Sequence, residues 1–241
     1  MENLRFRKGT TLVELMVACA IFSALAVSVF SILRYGTRNW RSIESRNSVQ
    51  VEIRKAEFDL NKEVSRTALS TLIAYPWTGV TDYRHALLFQ TAADLEGIKI
   101  TTDENGNLQW QRWLLYYIIR PPGDTCAAPG GTDNICPHKW LVKKDIALAG
   151  ISSPELLVNY LNTDLKTKDD GGNANVLKAS ILSRDILSFN IDASTHYPEV
   201  LLTIKCFKQI EYQGFARIGL DNLETEKATI QVDNRIIPRN K

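Results

Sequence analysis

Histidine is scarce in this chain, with three among 241 residues (His85, His138 and His196). Their wide separation argues against a histidine-rich metal centre. The four cysteines are too few for a disulfide scaffold. No G-x-S-x-G, Walker A, G-x-G-x-x-G or H-E-x-x-H pattern occurs, so the common hydrolase, nucleotide-binding and metalloprotease signatures are missing. His196, beside Tyr197-Pro198, reads as a turn residue, and no histidine is placed to activate a serine or cysteine. The expectation is a chain that is not an enzyme and needs no cofactor. Charge of one sign is also lacking. The formal net charge is +2, and without the first nine residues basic and acidic groups balance. That excludes a generally basic protein that coats nucleic acid.

Helix breakers are absent over a long stretch. From Thr10 to Thr67 there is no proline and only one glycine, Gly36. Within it, Leu12 to Leu33 holds a single charged residue, Glu14. At about 1.5 Å per residue this run can cross a hydrocarbon core of roughly 30 Å. It is apolar on every face, unlike an amphipathic core helix. It is also too long for the apolar part of a secretory signal, and no A-x-A-type site follows it. Tyr35 and Trp40 follow where an interfacial aromatic belt would sit. Arg5, Arg7 and Lys8 favour a cytoplasmic amino terminus, whereas Arg34, Arg38, Arg41 and Arg46 count the other way. Glu14, about one turn inside the apolar run, is costly in lipid. It reads either as a residue favoured by the helix dipole or as a charge that waits for a partner.

The segment Gly9-Thr10-Thr11-Leu12-Val13-Glu14-Leu15, after a short basic leader and before an apolar helix, resembles the class III signal of type IV prepilins and type II secretion pseudopilins. The resemblance implies cleavage by prepilin peptidase after Gly9 and N-methylation of Thr10. It also implies that Glu14 pairs with the amino group of a neighbouring subunit, where opposite charges in a low dielectric attract strongly. Thr10 stands where most relatives carry Phe or Met. Ser31 lies near a common proline position of major pilins, which implies a straighter helix.

Val49, Ile53, Ala56, Leu60 and Val64 recur at helical spacing, with Glu52, Arg54, Lys55, Asp59 and Lys62 off the stripe. Residues 10 to about 67 are therefore expected to form one helix of about 85 Å. Pro76-Trp77-Thr78-Gly79 carries turn signals. Strands are expected at Ala86–Thr91, Ile98–Thr102, Leu108–Gln111, Trp113–Arg120, Trp140–Lys143, Ile186–Ile191, Val200–Phe207, Phe215–Leu220 and Ala228–Val232. Asp103-Glu104-Asn105-Gly106 is read as a hairpin turn. The fold class is α+β: a long amino-terminal helix, membrane-spanning then amphipathic, packed on an antiparallel β-sheet head. The division reads as leader 1–9, membrane or filament-core helix 10–35, amphipathic helix 36–68 and head 69–241. Gln109–Ile119, Ile181–Ile191 and the closing Ile237-Pro238-Arg239-Asn240 resemble PilW-type minor pilins and J-type pseudopilins.

Cys126 and Cys136 bracket a Pro/Gly-rich loop. If the head lies outside the cytoplasmic membrane, a disulfide is favoured over two free thiols. Cys206 and Cys19 read as small buried hydrophobes. Cys126, Cys136 and His138 match no common zinc spacing. Asp164, Asp169 and Asp170 lack EF-hand spacing and read as a solvated acidic turn. Lys139, Lys143 and Lys144 beside Trp140 read as a solvated strand face in preference to a DNA-contact patch.

These readings converge on a minor pilin or pseudopilin of the bacterial inner membrane, single-pass, with a cytoplasmic amino terminus and a periplasmic head. The implied partners are prepilin peptidase, other major and minor pilins or pseudopilins, the inner-membrane assembly platform protein and the membrane itself. A pseudopilin of type II secretion or DNA uptake is the nearer alternative. A membrane-anchored binding domain that never polymerises is the more distant one.

Overall fold

In the computed structural model, residues 11–76, 85–121, 139–151, 154–192, 200–209 and 227–236 are described. One helix, α1, runs Leu12–Val64. Seven strands follow: β1 Ile73–Pro76, β2 His85–Thr91, β3 Arg112–Ile119, β4 Lys139–Ala147, β5 Val176–Asp192, β6 Val200–Gln209 and β7 Lys227–Ile236. They form one antiparallel sheet in chain order, β1 to β7. The α+β architecture is the one the sequence leads one to expect.

Two compact units divide the chain, Met1–Glu44 and Ser45–Lys241. In the first, every described residue from Thr11 to Arg41 is exposed. The apolar side chains of this helical stretch, Leu12 to Leu33, are all among the exposed residues. Gly36 does not interrupt α1, and a Cβ added there would meet nothing within 4 Å. Cys19, expected to be buried, is an exposed free thiol, because nothing within this unit packs over it.

In the second unit the amphipathic stripe is buried as expected. Val49, Ile53, Ala56, Leu60 and Val64 are all 2% exposed or less. They pack with Leu87, Phe89, Leu114, Tyr116, Ile118 and Leu141 on one face of the sheet. Residues of opposite parity, among them Leu88, Leu115, Tyr117, Val142 and Ile146, form a second core on the other face. That face is covered by Ile151 and by Leu157, Tyr160 and Leu161, from the 3-10 helix Pro154–Tyr160 and the residue after it. Alternation places successive strand residues on opposite faces. A strand covered on both faces therefore reads as continuously apolar, as Trp113 to Ile119 does.

Several expected boundaries move. β5 begins ten residues before the expected Ile186, and its bulges absorb the difference against β4 and β6. Asp185, at φ 58°, takes the left-handed conformation within it, as bulged strands allow. Ile98–Thr102 and Leu108–Gln111 are not strands; only the single bridges Ala93–Ile100 and Thr102–Leu108 form. The turn between them is built by the Asp103 carboxylate, whose Oδ1 accepts from Asn105 N–H at 2.9 Å and Asn107 N–H at 2.7 Å, with Gly106 at φ 82°. Such a side-chain turn satisfies the local backbone without a ladder. β1 was not expected, because Pro76 reads as a breaker; it ends an edge strand, where proline is tolerated. The expected strand Phe215–Leu220 lies outside the described residues.

Candidate functional site

Thr11 and Glu14 close the amino terminus of α1 on each other. The Glu14 Oε2 accepts from the Thr11 N–H at 2.9 Å, and Thr11 Oγ1 accepts from the Glu14 N–H at 3.2 Å. This is a capping box, which satisfies two of the donors that a helix start leaves without partners. Its signal, Thr-x-x-Glu ahead of an apolar run, was present in the sequence and was not read there. Further along, Ser23, Ser28 and Ser31 donate to the carbonyls of Cys19, Ala24 and Val27 at 2.7–2.9 Å. The hydroxyls are thereby satisfied within the helix, and the outer surface stays effectively apolar. α1 is long and apolar enough, near the amino terminus, to cross a membrane.

The second constellation lies between α1 and the sheet. Lys143 Nζ reaches Asp59 Oδ2 at 3.0 Å and Glu63 Oε1 at 3.2 Å. Tyr116 donates its hydroxyl to Asp59 Oδ2 at 2.7 Å, and its ring stacks on Phe89 with centroids 5.8 Å apart. Burial, with Asp59 and Glu63 nearby, holds the Tyr116 hydroxyl well above its ordinary pKa. Asp59 and Glu63 sit one turn apart on either side of Leu60, so both reach the same strand residue.

On the opposite face, the Lys144 ammonium donates to the Tyr160 carbonyl at 2.9 Å and to Asn162 Oδ1 at 2.8 Å. Tyr117 donates to the Asn162 carbonyl at 2.8 Å. Burial lowers the Lys144 pKa to about 8, with Asp164 opposing the shift. At the end of β4, Asp145 pairs with Arg112 at 2.6 Å, and Arg112 also donates to the Ala93 carbonyl. Burial raises the Asp145 carboxyl although Arg112 acts to lower it.

The lysine cluster is therefore neither a solvated face nor a DNA patch. Lys139 and Lys144 are each 1% exposed, and Lys143 is held by α1 acids. Adjacent lysines fall on opposite faces of β4, and both faces are covered. One sequence alone does not show that second cover.

The other expected site residues stay apart. Asp164 accepts from Lys166 N–H and Asp170 from the Thr167 hydroxyl, each within its own turn, and Asp169 is exposed. Among the described residues no group of three or more metal-ligating side chains forms. Gly9, Thr10, Cys126, Cys136, His138 and His196 lie outside the described residues.

Residues 4–30 match the family model described as the prokaryotic N-terminal methylation motif. No curated protein and no solved structure matches the chain. The matched segment runs from the basic leader through the capping box into the apolar helix.

Proposed function

We propose that this chain is a low-abundance minor pilin or pseudopilin, built into a type IV pilus or a related filament as an initiating or tip component. The observation that carries the reading is the methylation motif at residues 4–30, continuous with a capped helix whose apolar side chains from Leu12 to Leu33 are exposed. Prepilin peptidase removes Met1–Gly9 and the new amino terminus at Thr10 is N-methylated. The apolar helix holds the chain in the inner membrane, amino terminus cytoplasmic and head periplasmic. An assembly platform then extracts it, and packing against other pilins or pseudopilins replaces lipid. Glu14 sets the register by pairing with the Thr10 amine of a neighbour. The capping box leaves this open, because a carboxylate has lone pairs for more than one donor.

The test is the mass and amino-terminal sequence of the chain expressed with and without prepilin peptidase. A product that begins at methylated Thr10 only with the enzyme supports the reading. Retention of Met1–Gly9 in both cases overturns it.

A further inference from the structure

Between Glu14 and Glu44 the only charged residues are Arg34, Arg38 and Arg41. They begin directly after Leu33, the last residue of the apolar run. Leu15 to Leu33 is about 28 Å of helix, close to the roughly 30 Å of a hydrocarbon core. A bilayer that takes up that length has Glu14 at one boundary and Arg34 at the other. All three arginines are exposed. Their successive helical spacing puts them on one side of α1. Trp40 and Ile43, both exposed, fall on the other side, with Tyr35 between. These arginines run against the positive-inside pattern, and orientation alone leaves them without a purpose.

We propose that Arg34, Arg38 and Arg41 form a binding site for anionic phospholipid headgroups on the side of the membrane that faces the head. Side chains of an α-helix lean toward its amino terminus. With that terminus cytoplasmic, Arg38 and Arg41 lean back onto the bilayer from about 6 and 10 Å beyond Arg34. Their apolar stems lie along the helix while the guanidinium groups reach phosphate level. A guanidinium fork matches two phosphate oxygens at once, which an anionic headgroup offers and the hydrocarbon does not. Tyr35 and Trp40 supply interfacial aromatics at the same level. No carboxylate occurs in residues 15–43, so no acid of this stretch competes for the arginines. Continuity with the apolar run is what selects lipid as the occupant: whatever surrounds Leu33 also surrounds Arg34, one residue on. The three cations fix the depth of α1 and hold Glu14 at the opposite boundary, out of the hydrocarbon. Extraction into a filament then includes the release of these headgroups. The inference rests on the membrane-anchored reading above.

The test uses the full chain, purified in a neutral detergent and offered an equimolar mixture of phosphatidylglycerol and phosphatidylcholine. Native mass spectrometry counts the lipids retained, and flotation with liposomes checks the anchor. Phosphatidylglycerol is expected to be retained at least fivefold over phosphatidylcholine. The combined variant Arg34→Gln, Arg38→Gln and Arg41→Gln should lose that preference while its head unfolds in urea as the wild type does. Equal retention of the two lipids by a wild type that floats with liposomes overturns the proposal and leaves the anchor standing. A chain that floats with liposomes of neither lipid overturns both. A preference that survives in the arginine variant but is lost in Arg5→Gln, Arg7→Gln and Lys8→Gln places the site in the leader and overturns the proposal. So does displacement of the lipid by a DNA duplex at lower phosphate concentration, which makes nucleic acid the better occupant.

Discussion

The Glu14 carboxylate accepts a hydrogen bond from the Thr11 N–H while the Thr11 hydroxyl accepts one from Glu14. One residue thus caps its own helix and, in the proposed filament, offers its charge to a neighbour.

Glutamine in place of Glu14 separates them, since its amide oxygen serves a capping box equally well. In Glu14→Gln the helix content is expected to stay unchanged by circular dichroism while incorporation into filaments falls several-fold. Thr11→Val removes the other half of the cap and should cost about 1 kcal/mol at the helix start, with incorporation largely kept. Unchanged filament yield in Glu14→Gln would count against a role for the charge.

Lys143→Met leaves the buried Glu63 and the half-buried Asp59 without their cation. The expected loss is about 3–5 kcal/mol in urea unfolding, because a buried charge stripped of its partner keeps its desolvation penalty. Adding Glu63→Gln should recover part of that loss. A double-mutant cycle with no coupling would show that the three groups act independently.

Lys144 predicts a pH slope. Its pKa is about 8 in the fold against 10.5 unfolded, so between these values the unfolded chain binds more protons. Stability from this group therefore rises with pH from about 8, and its burial cost is full below that. Tyr116 acts in the opposite sense only above pH 10, where the unfolded phenol ionises and the buried one does not. Urea unfolding measured from pH 7.5 to 9.5 should show the rise in the wild type and a flatter profile in Lys144→Met.

Two glycines are expected to behave differently. A Cβ at Gly150 would stand 2.8 Å from Asn175 Cβ and 2.9 Å from Ile146 Cγ2, so Gly150→Ala should destabilise by about 1–3 kcal/mol through overpacking. Gly36→Ala meets nothing and should stabilise the helix by roughly 0.5–1 kcal/mol. Thermal unfolding of the two variants distinguishes them.

Much of the helix was legible in the sequence by itself. The breaker-free stretch, the apolar run and the stripe Val49 to Val64 each follow from local periodicity, which a helix converts directly into faces. The leader pattern was legible for the same reason, since its residues are contiguous. The β-strand cores from Leu87 to Phe89 and from Trp113 to Ile119 were also readable as apolar runs. What tertiary structure alone decided is which charges lie inside. Lys143 meets Asp59 across 84 positions of chain, and Lys144 is buried only because residues beyond β4 return over the second face of the sheet. Local pattern records neither partner, since burial of a lysine depends on what covers it. The same reason hid the fate of Ile98 and Ile100. A β-propensive stretch becomes a strand only where a neighbouring segment offers a continuous ladder, and there only the single bridge Ala93–Ile100 forms while the Asp94 carboxylate takes the Ile98 N–H.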